Sequence, residues 1–268
     1  MDAINREGMV LVGCGRMGSA MLQGWLERGV AARAVHVLEP QPSDWLQRRG
    51  VHLNGELPDA PAVAVVAVKP QMMGKALPVL QALGTGRTLF VSVAAGTPIA
   101  AFEAALGART PVVRAMPNTP AAIGRGITAL VGNAQAGDAA LDMAEALMRS
   151  VGDVVRLRDE RQMDAVTALS GSGPAYVFHM IEALAAAGEA EGLDAALAMR
   201  LARATVTGAG ALADAAGDSA AQLRANVTSP GGTTAAGLDV LMDAESGLEP
   251  LMRRTVAAAA ARSRELGQ

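Results

Sequence analysis

Between Gly8 and about Arg158 short apolar runs alternate with stretches of helical period, the pattern of a parallel α/β sheet. The first run is Met9 to Val12, followed by a helix from about Met17 to Arg28 that stops at Gly29. Then come Val35 to Leu38, another helix, and a short Val51 to Leu53. Ala62 to Val68 is nearly all Ala and Val, as expected of a central strand covered on both faces. Later strands are expected at Thr88 to Val93, Val112 to Ala115, Ile127 to Val131 and Val154 to Leu157.

Beyond Asp159 the β-branched runs give way to Ala-rich stretches of 3.6 period, which predict helices over Ala175 to Glu191 and Asp194 to Ala216. Further helices are expected at Ser219 to Asn226, Thr233 to Ala244 and Glu249 to Leu266, with Ser229-Pro230-Gly231-Gly232 as a break. The pattern divides the chain into a sheet domain over 1–158 and a helical domain over 159–268. The stretch from Tyr176 to Leu184 is apolar almost all round, so it is buried either in its own chain or in a partner subunit, and an intersubunit interface is the favoured reading.

Composition narrows the class. Of 268 residues 51% are hydrophobic and 18% charged, with a formal net charge of −3, which excludes a disordered chain and argues against a basic face for nucleic acid. The aromatic residues (Trp25, Trp45, Tyr176, Phe90, Phe102, Phe178) are too few for a stacking platform. A single cysteine, Cys14, and histidines only at 36, 52 and 179 make a Cys/His metal cluster improbable, and no metal is expected. No secretion signal precedes the first strand, and the longest uncharged run, Ala165 to Ile181, is broken by glycines and a proline. The chain reads as soluble and cytoplasmic, with no membrane partner.

Chemistry enters at Gly13-Cys14-Gly15-Arg16-Met17-Gly18, which follows a strand and opens a helix, the context in which G-x-G-x-x-G means dinucleotide binding. Gly13 permits the turn, Gly15 lets backbone approach a pyrophosphate, and Gly18 lets helix pack on strand, while the helix N-terminus offers N–H groups. The plain alternative is a glycine turn made for packing. Cys14 fills a free position and reads as a small buried filler. Glu39 ends the second strand, where an acidic residue accepts hydrogen bonds from the adenosine ribose, which points to NAD(H); otherwise it is a solvated charge before a turn. Ala67-Val68-Lys69-Pro70 closes the most buried strand, and Lys69 either faces the cofactor or follows from the helix start at Pro70. Val93-Ala94-Ala95-Gly96 and Arg114-Ala115-Met116-Pro117-Asn118-Thr119-Pro120 are small and rigid enough to wall a nicotinamide pocket.

In the helical part, Leu169-Ser170-Gly171-Ser172-Gly173-Pro174-Ala175-Tyr176 reads as a break that lets helices cross closely. Val227-Thr228-Ser229-Pro230-Gly231-Gly232-Thr233-Thr234 puts glycine N–H groups and hydroxyls at a helix N-terminus, either an anion site sized for a carboxylate or an ordinary N-cap.

Taken in order, GCGRMG, AVKP, RAMPNTP, ALSGSGPAY and VTSPGGTT resemble the pyrroline-5-carboxylate reductase family from Gly13 to Thr234; the last two motifs are highly specific. The resemblance implies an α/β chain, an N-terminal Rossmann-type parallel-sheet domain followed by an all-helical dimerisation domain that interlocks two subunits, often in a ring of five dimers, a decamer. It implies reduction of 1-pyrroline-5-carboxylate to L-proline by NADPH or NADH. Family cofactor contacts fall on Gly13 to Gly18, Asn54, Ala67, Val68, Lys69, Pro70, Val93, Ala94, Ala95 and Asn226. Substrate contacts fall on Ser229, Gly232, Thr233 and Thr234, with Glu160 a further candidate and Thr234 placed at the reacting ring nitrogen. Where many relatives carry a Ser/Thr-rich turn for the 2′-phosphate of NADPH, this chain has Glu39-Pro40, which leans toward NADH. Two rivals share the first motif. A 3-hydroxyacid dehydrogenase typically places a catalytic lysine in its helical domain, and residues 159–268 contain no lysine. A non-catalytic dinucleotide-binding protein need not keep the substrate loop, which is intact here.

Overall fold

A computed structural model describes residues 1–267. Eight strands form one sheet: β1 Met9–Val12, β2 Val35–Leu38, β3 His52–Leu53, β4 Val63–Val66, β5 Leu89–Ser92, β6 Val112–Met116, β7 Gly126–Gly132 and β8 Gly152–Arg156. Their spatial order is β3-β2-β1-β4-β5-β6-β7-β8. Neighbours run parallel except β6 and β7, which are antiparallel and so depart from the expected all-parallel sheet. The reason is the connection: residues 117–125 form only a short 3-10 turn, too short for the crossover of a dozen or more residues that a parallel pair requires.

The continuous apolar strands are explained by cover on both sides. Along β1, Met9 and Leu11 belong to one apolar cluster and Val10 and Val12 to another, and β4 divides in the same way between Val63, Val65 and Ala64, Val66. The helix Arg16–Glu27 covers the first face with Met21, Leu22 and Trp25, whose indole Nε1–H donates to the Leu147 carbonyl at 3.0 Å. The buried polar end of the largest side chain is thereby satisfied.

Some elements depart from the sequence pattern. β4 is shorter than Ala62 to Val68: it begins at Val63, and beyond Val66 only the Ala67 N–H continues the pairing before the chain bends at Val68. The helix after β2 is only Asp44–Gln47, started by Ser43, whose hydroxyl accepts from the Leu46 N–H at 3.3 Å. The expected break around Ser170 is instead a π-helical turn over Thr167–Gly171, and the helix from Thr233 ends at Leu241.

The chain divides into two compact units, one of Met1–Gly171 together with the segment from Ala259 on, the other of Ser172–Ala258. The second unit is helical, with helices Gly173–Ala190, Ala195–Ala215, Ala220–Asn226 and Thr233–Leu241 and most of Leu248–Leu266. Asp194 starts the second of these by accepting from the Ala196 and Leu197 N–H groups. The helix Gly173–Ala190 buries Ala185 and leaves Val177, Phe178, Met180 and Leu184 exposed. Among the described residues no helix is long and apolar enough to cross a membrane.

Candidate functional site

The glycine turn after β1 has a separate constraint at each glycine. Gly13 has φ +87° and donates to the Leu38 carbonyl at 2.8 Å; a Cβ there would lie 2.9 Å from the Ala67 carbonyl oxygen and from Val68 Cγ1. A Cβ on Gly18 would meet the Gly13 carbonyl oxygen at 2.4 Å, so this glycine lets the helix sit on the strand. Around Gly15 a Cβ would meet nothing within 4 Å. Gly15 is the N-cap of the helix Arg16–Glu27, and no side chain caps it. The N–H groups of the first turn therefore face open space beside a residue without a side chain, a cradle that fits a dinucleotide pyrophosphate.

The strand tips that the sequence assigns to a cofactor lie side by side. β2, β1, β4 and β5 are consecutive in the sheet, and the ladder continues past them through Ala67 N–H to the Val12 carbonyl (2.7 Å) and Val93 N–H to the Val66 carbonyl (3.0 Å). This gathers Gly13 to Gly18, Glu39, Ala67 to Pro70 and Val93 to Ala95 along one sheet edge, the carboxyl end where ligands bind in such sheets. Lys69 is exposed and precedes the short turn Pro70–Met72.

Glu39 is held firmly. Its Oε2 accepts from the Cys14 N–H at 2.8 Å and its Oε1 from the Gln41 N–H at 3.0 Å. Asn54, just past β3, has Oδ1 accepting from the Glu39 N–H and Nδ2 donating to the Glu39 carbonyl, both at 2.9 Å. Cys14 is buried; burial pushes its thiol above the ordinary value, with the Ser19 hydroxyl opposing this and the Glu39 charge adding to it. A thiol so placed remains protonated and is no nucleophile.

Glu160 belongs to the same unit, and one oxygen of its carboxylate is engaged. Oε1 accepts from the Ile99 N–H at 3.0 Å, the first turn of the helix Ile99–Leu106, and from Nη1 of the buried Arg114 at 2.8 Å. The pair lines a cavity of about 320 Å³ together with Pro98, Asp164 and Arg264. Two of the sequence motifs also meet each other: Asn118 Nδ2 donates to the carbonyl and hydroxyl of Ser170, at 3.3 and 3.4 Å, and its Oδ1 accepts from the Ile127 N–H. The π-turn carrying Ser170 is thus anchored to the loop after β6. The two asparagine clasps, on Glu39 and on Ser170, escape a reading of the sequence because each joins a side chain to main chain 15 or 52 positions away.

In the second unit, Gly231 has φ +68° and Gly232 donates to the Ser229 carbonyl at 3.0 Å, a turn that ends at the N-cap of the helix Thr233–Leu241. No side chain caps this helix, so the Thr233 and Thr234 N–H groups and hydroxyls stand exposed with Ser229 at its start. Asn226 ends the preceding helix and its Oδ1 accepts from Gln222 Nε2 at 2.7 Å. Among the described residues no group of three or more His, Cys, Asp or Glu side chains is placed to hold a metal ion.

The sheet order and the glycine cradle, with an acidic residue at the tip of β2, define a dinucleotide-binding fold of the Rossmann class. A family model described as pyrroline-5-carboxylate reductase dimerisation matches residues 160–266, and one described as NADP oxidoreductase, coenzyme F420-dependent, matches residues 9–96. The chain is 38% identical to a pyrroline-5-carboxylate reductase of Pseudomonas aeruginosa, with 97% of each chain covered. It is 40% identical to one from Synechocystis, over 96% of this chain and 97% of the relative. A solved pyrroline-5-carboxylate reductase from Coxiella burnetii superposes with a TM-score of 0.90 at 33% identity, over 98% of this chain and 100% of that one. One from Plasmodium falciparum with NADP bound gives 0.83 at 27% identity, over 98% and 99%. The chain belongs to the pyrroline-5-carboxylate reductase family.

Proposed function

We propose that this protein reduces L-1-pyrroline-5-carboxylate to L-proline with NAD(P)H, the last step of proline biosynthesis. The observation that carries the reading is the full-length relationship to reductases of that name, joined to an uncapped helix start at Thr233 that presents hydroxyls and N–H groups. A dinucleotide held at the glycine cradle would supply a hydride for the ring carbon of the C=N bond, the ring nitrogen keeping the proton of the iminium. An imine protonated near neutral pH is already electrophilic, so the protein's part is mostly positioning.

The roles follow from charge and reach. The N–H groups after Gly232, with the hydroxyls of Ser229 and Thr233, bind the substrate carboxylate, and the Thr234 hydroxyl meets the ring nitrogen. Lys69, Pro70, Val93, Ala94 and Ala95 wall the cofactor. Glu160, whose Oε1 is held by the Ile99 N–H and Arg114, is a further candidate for a substrate contact. NADH is used at least comparably to NADPH, because the Glu39 carboxylate accepts from ribose hydroxyls and repels a 2′-phosphate. The working unit is a homodimer through the helical part, assembling further into a decamer.

The test is oxidation of NADH and of NADPH with pyrroline-5-carboxylate, against a 3-hydroxyacid control. Turnover with the cyclic imine alone is expected; turnover of the hydroxyacid, or cofactor binding with no turnover, would sink the reading. Thr234→Ala is expected to lose activity by somewhat less than the ~10²-fold typical of a positioned donor to developing charge, since the charge is on the substrate beforehand. Thr234→Ser should keep most of it. Wild-type kinetics in Thr234→Ala alongside a loss in Ser229→Ala would move the hydroxyl role to Ser229.

A further inference from the structure

We propose that Asn54 is a positioning residue for cofactor selectivity, acting through Glu39; the proposal rests on the reading that Glu39 faces the adenosine ribose. Asn54 is the one non-glycine residue with positive φ, +50°, among the described residues. Left-handed backbone is tolerated best by Asn and Asp after glycine, and a residue held there signals a constraint from its surroundings. The constraint is visible. The Asn54 N–H donates to the Val37 carbonyl at 2.9 Å, and its side-chain amide closes both backbone groups of Glu39. Only a planar amide offers one acceptor and one donor side by side, so neither Asp nor Ser reproduces this clasp.

The clasp matters because the strand ladder has run out. β3 is two residues long, and its pairing with β2 ends at Val37 and Leu53, two positions short of Glu39. The side chain of Asn54 takes over where the main chain of β3 stops, while the Cys14 and Gln41 N–H groups hold the carboxylate itself. Glu39 is therefore fixed at both ends. A free glutamate rotates away from an incoming phosphate and discriminates weakly, whereas a fixed one must repel it. The strength of the preference for NADH is then set by Asn54 as much as by the charge on Glu39.

The experiment measures dissociation constants of NADH and NADPH by calorimetry on the full-length oligomer, with KM values alongside, for wild type, E39S, N54G, N54S and E39S/N54G. Asn54→Gly keeps the positive φ and removes the amide. Asn54→Ser also removes the amide, adds no charge beside Glu39, and leaves a single hydroxyl that cannot close both Glu39 backbone groups. Each is expected to lower the preference for NADH over NADPH by about fivefold, and N54G in the E39S background is expected to leave the ratio unchanged, the coupling expected of residues that act as one unit. If N54G weakens both cofactors equally while E39S still shifts the ratio, Asn54 is merely structural and the inference fails, with the Glu39 reading intact. If E39S itself leaves the ratio unchanged, the Glu39 reading fails and this inference with it. Should N54G prove unfolded, N54S decides by the same comparison.

Discussion

A methyl group added at Gly15 and one added at Gly18 meet opposite surroundings, so the two substitutions should fail in different assays. At Gly18 the new Cβ would sit 2.4 Å from a main-chain oxygen that cannot retreat without moving β1. Gly18→Ala should destabilise by about 1–3 kcal/mol, read as a lower melting temperature. At Gly15 nothing lies within 4 Å, so Gly15→Ala should cost below about 1 kcal/mol of stability yet weaken NADH and NADPH alike by more than about tenfold in calorimetry. Equal effects of the two on melting would refute the assignment of Gly15 to the ligand. At this scale the turn at Gly13 and the close packing at Gly18 were readable, because each follows from residue type in local context. The partners of Glu39 were not, since two of its three anchors are main-chain N–H groups, which every sequence supplies everywhere. Glu160 shows the same limit: its place near a conspicuous motif was visible, its bond to Arg114 was not.

Among the elements, the thin edge of the sheet is where solution conditions should act first. His36 on β2 and His52 on β3 are register partners whose rings stack with centroids 4.5 Å apart. Burial lowers the pKa of His36, the charge on His52 lowers it further, and the bond to the Glu56 carbonyl opposes both. The unfolded chain therefore binds this proton more readily than the folded one. Stability from this site is complete above the ordinary value of 6.5 and declines as pH falls through it toward the lower folded value. His52→Gln should raise the His36 pKa measured by NMR and reduce the loss in melting temperature between about pH 7.5 and 5.5. An unchanged His36 titration would show that the two rings do not communicate. Strands such as β1, β4 and β5 were legible because cover on both faces writes an unbroken apolar run. The direction of β7 was not, because an apolar run reads the same in either sense and only the length of the connection from β6 decides it. The π-turn at Thr167–Gly171 was also missed, since Ser and Gly look like a break whether or not neighbouring side chains keep the helix wound.

For the whole molecule, the exposed apolar side chains of the second unit are the main debt left by a single chain. Phe178 is 60% exposed, Leu201 48% and Leu212 55%. A surface of this kind belongs to an association between subunits, consistent with the dimerisation family that matches this region. Because Phe178 already stands in solvent within its own chain, Phe178→Asp should leave that chain's packing intact and act on assembly alone. The expected results are a smaller species in sedimentation, a melting temperature that rises with protein concentration, and lost activity. A fully active, unchanged oligomer would place the interface elsewhere. The division of the chain has another consequence, this one for biosynthesis. The segment from Ala259 on belongs to the first unit, where the Ser263 hydroxyl donates to Asp164 Oδ1 at 2.6 Å and Leu266 lies against Gly96. As the polypeptide leaves the ribosome, the sheet can gather its strands early, but this contact must wait for residues made about a hundred positions later. A nascent chain halted at Ala258 should thus expose the region around Gly96 and Asp164 to limited proteolysis, and release of the last turns of the helix should close it.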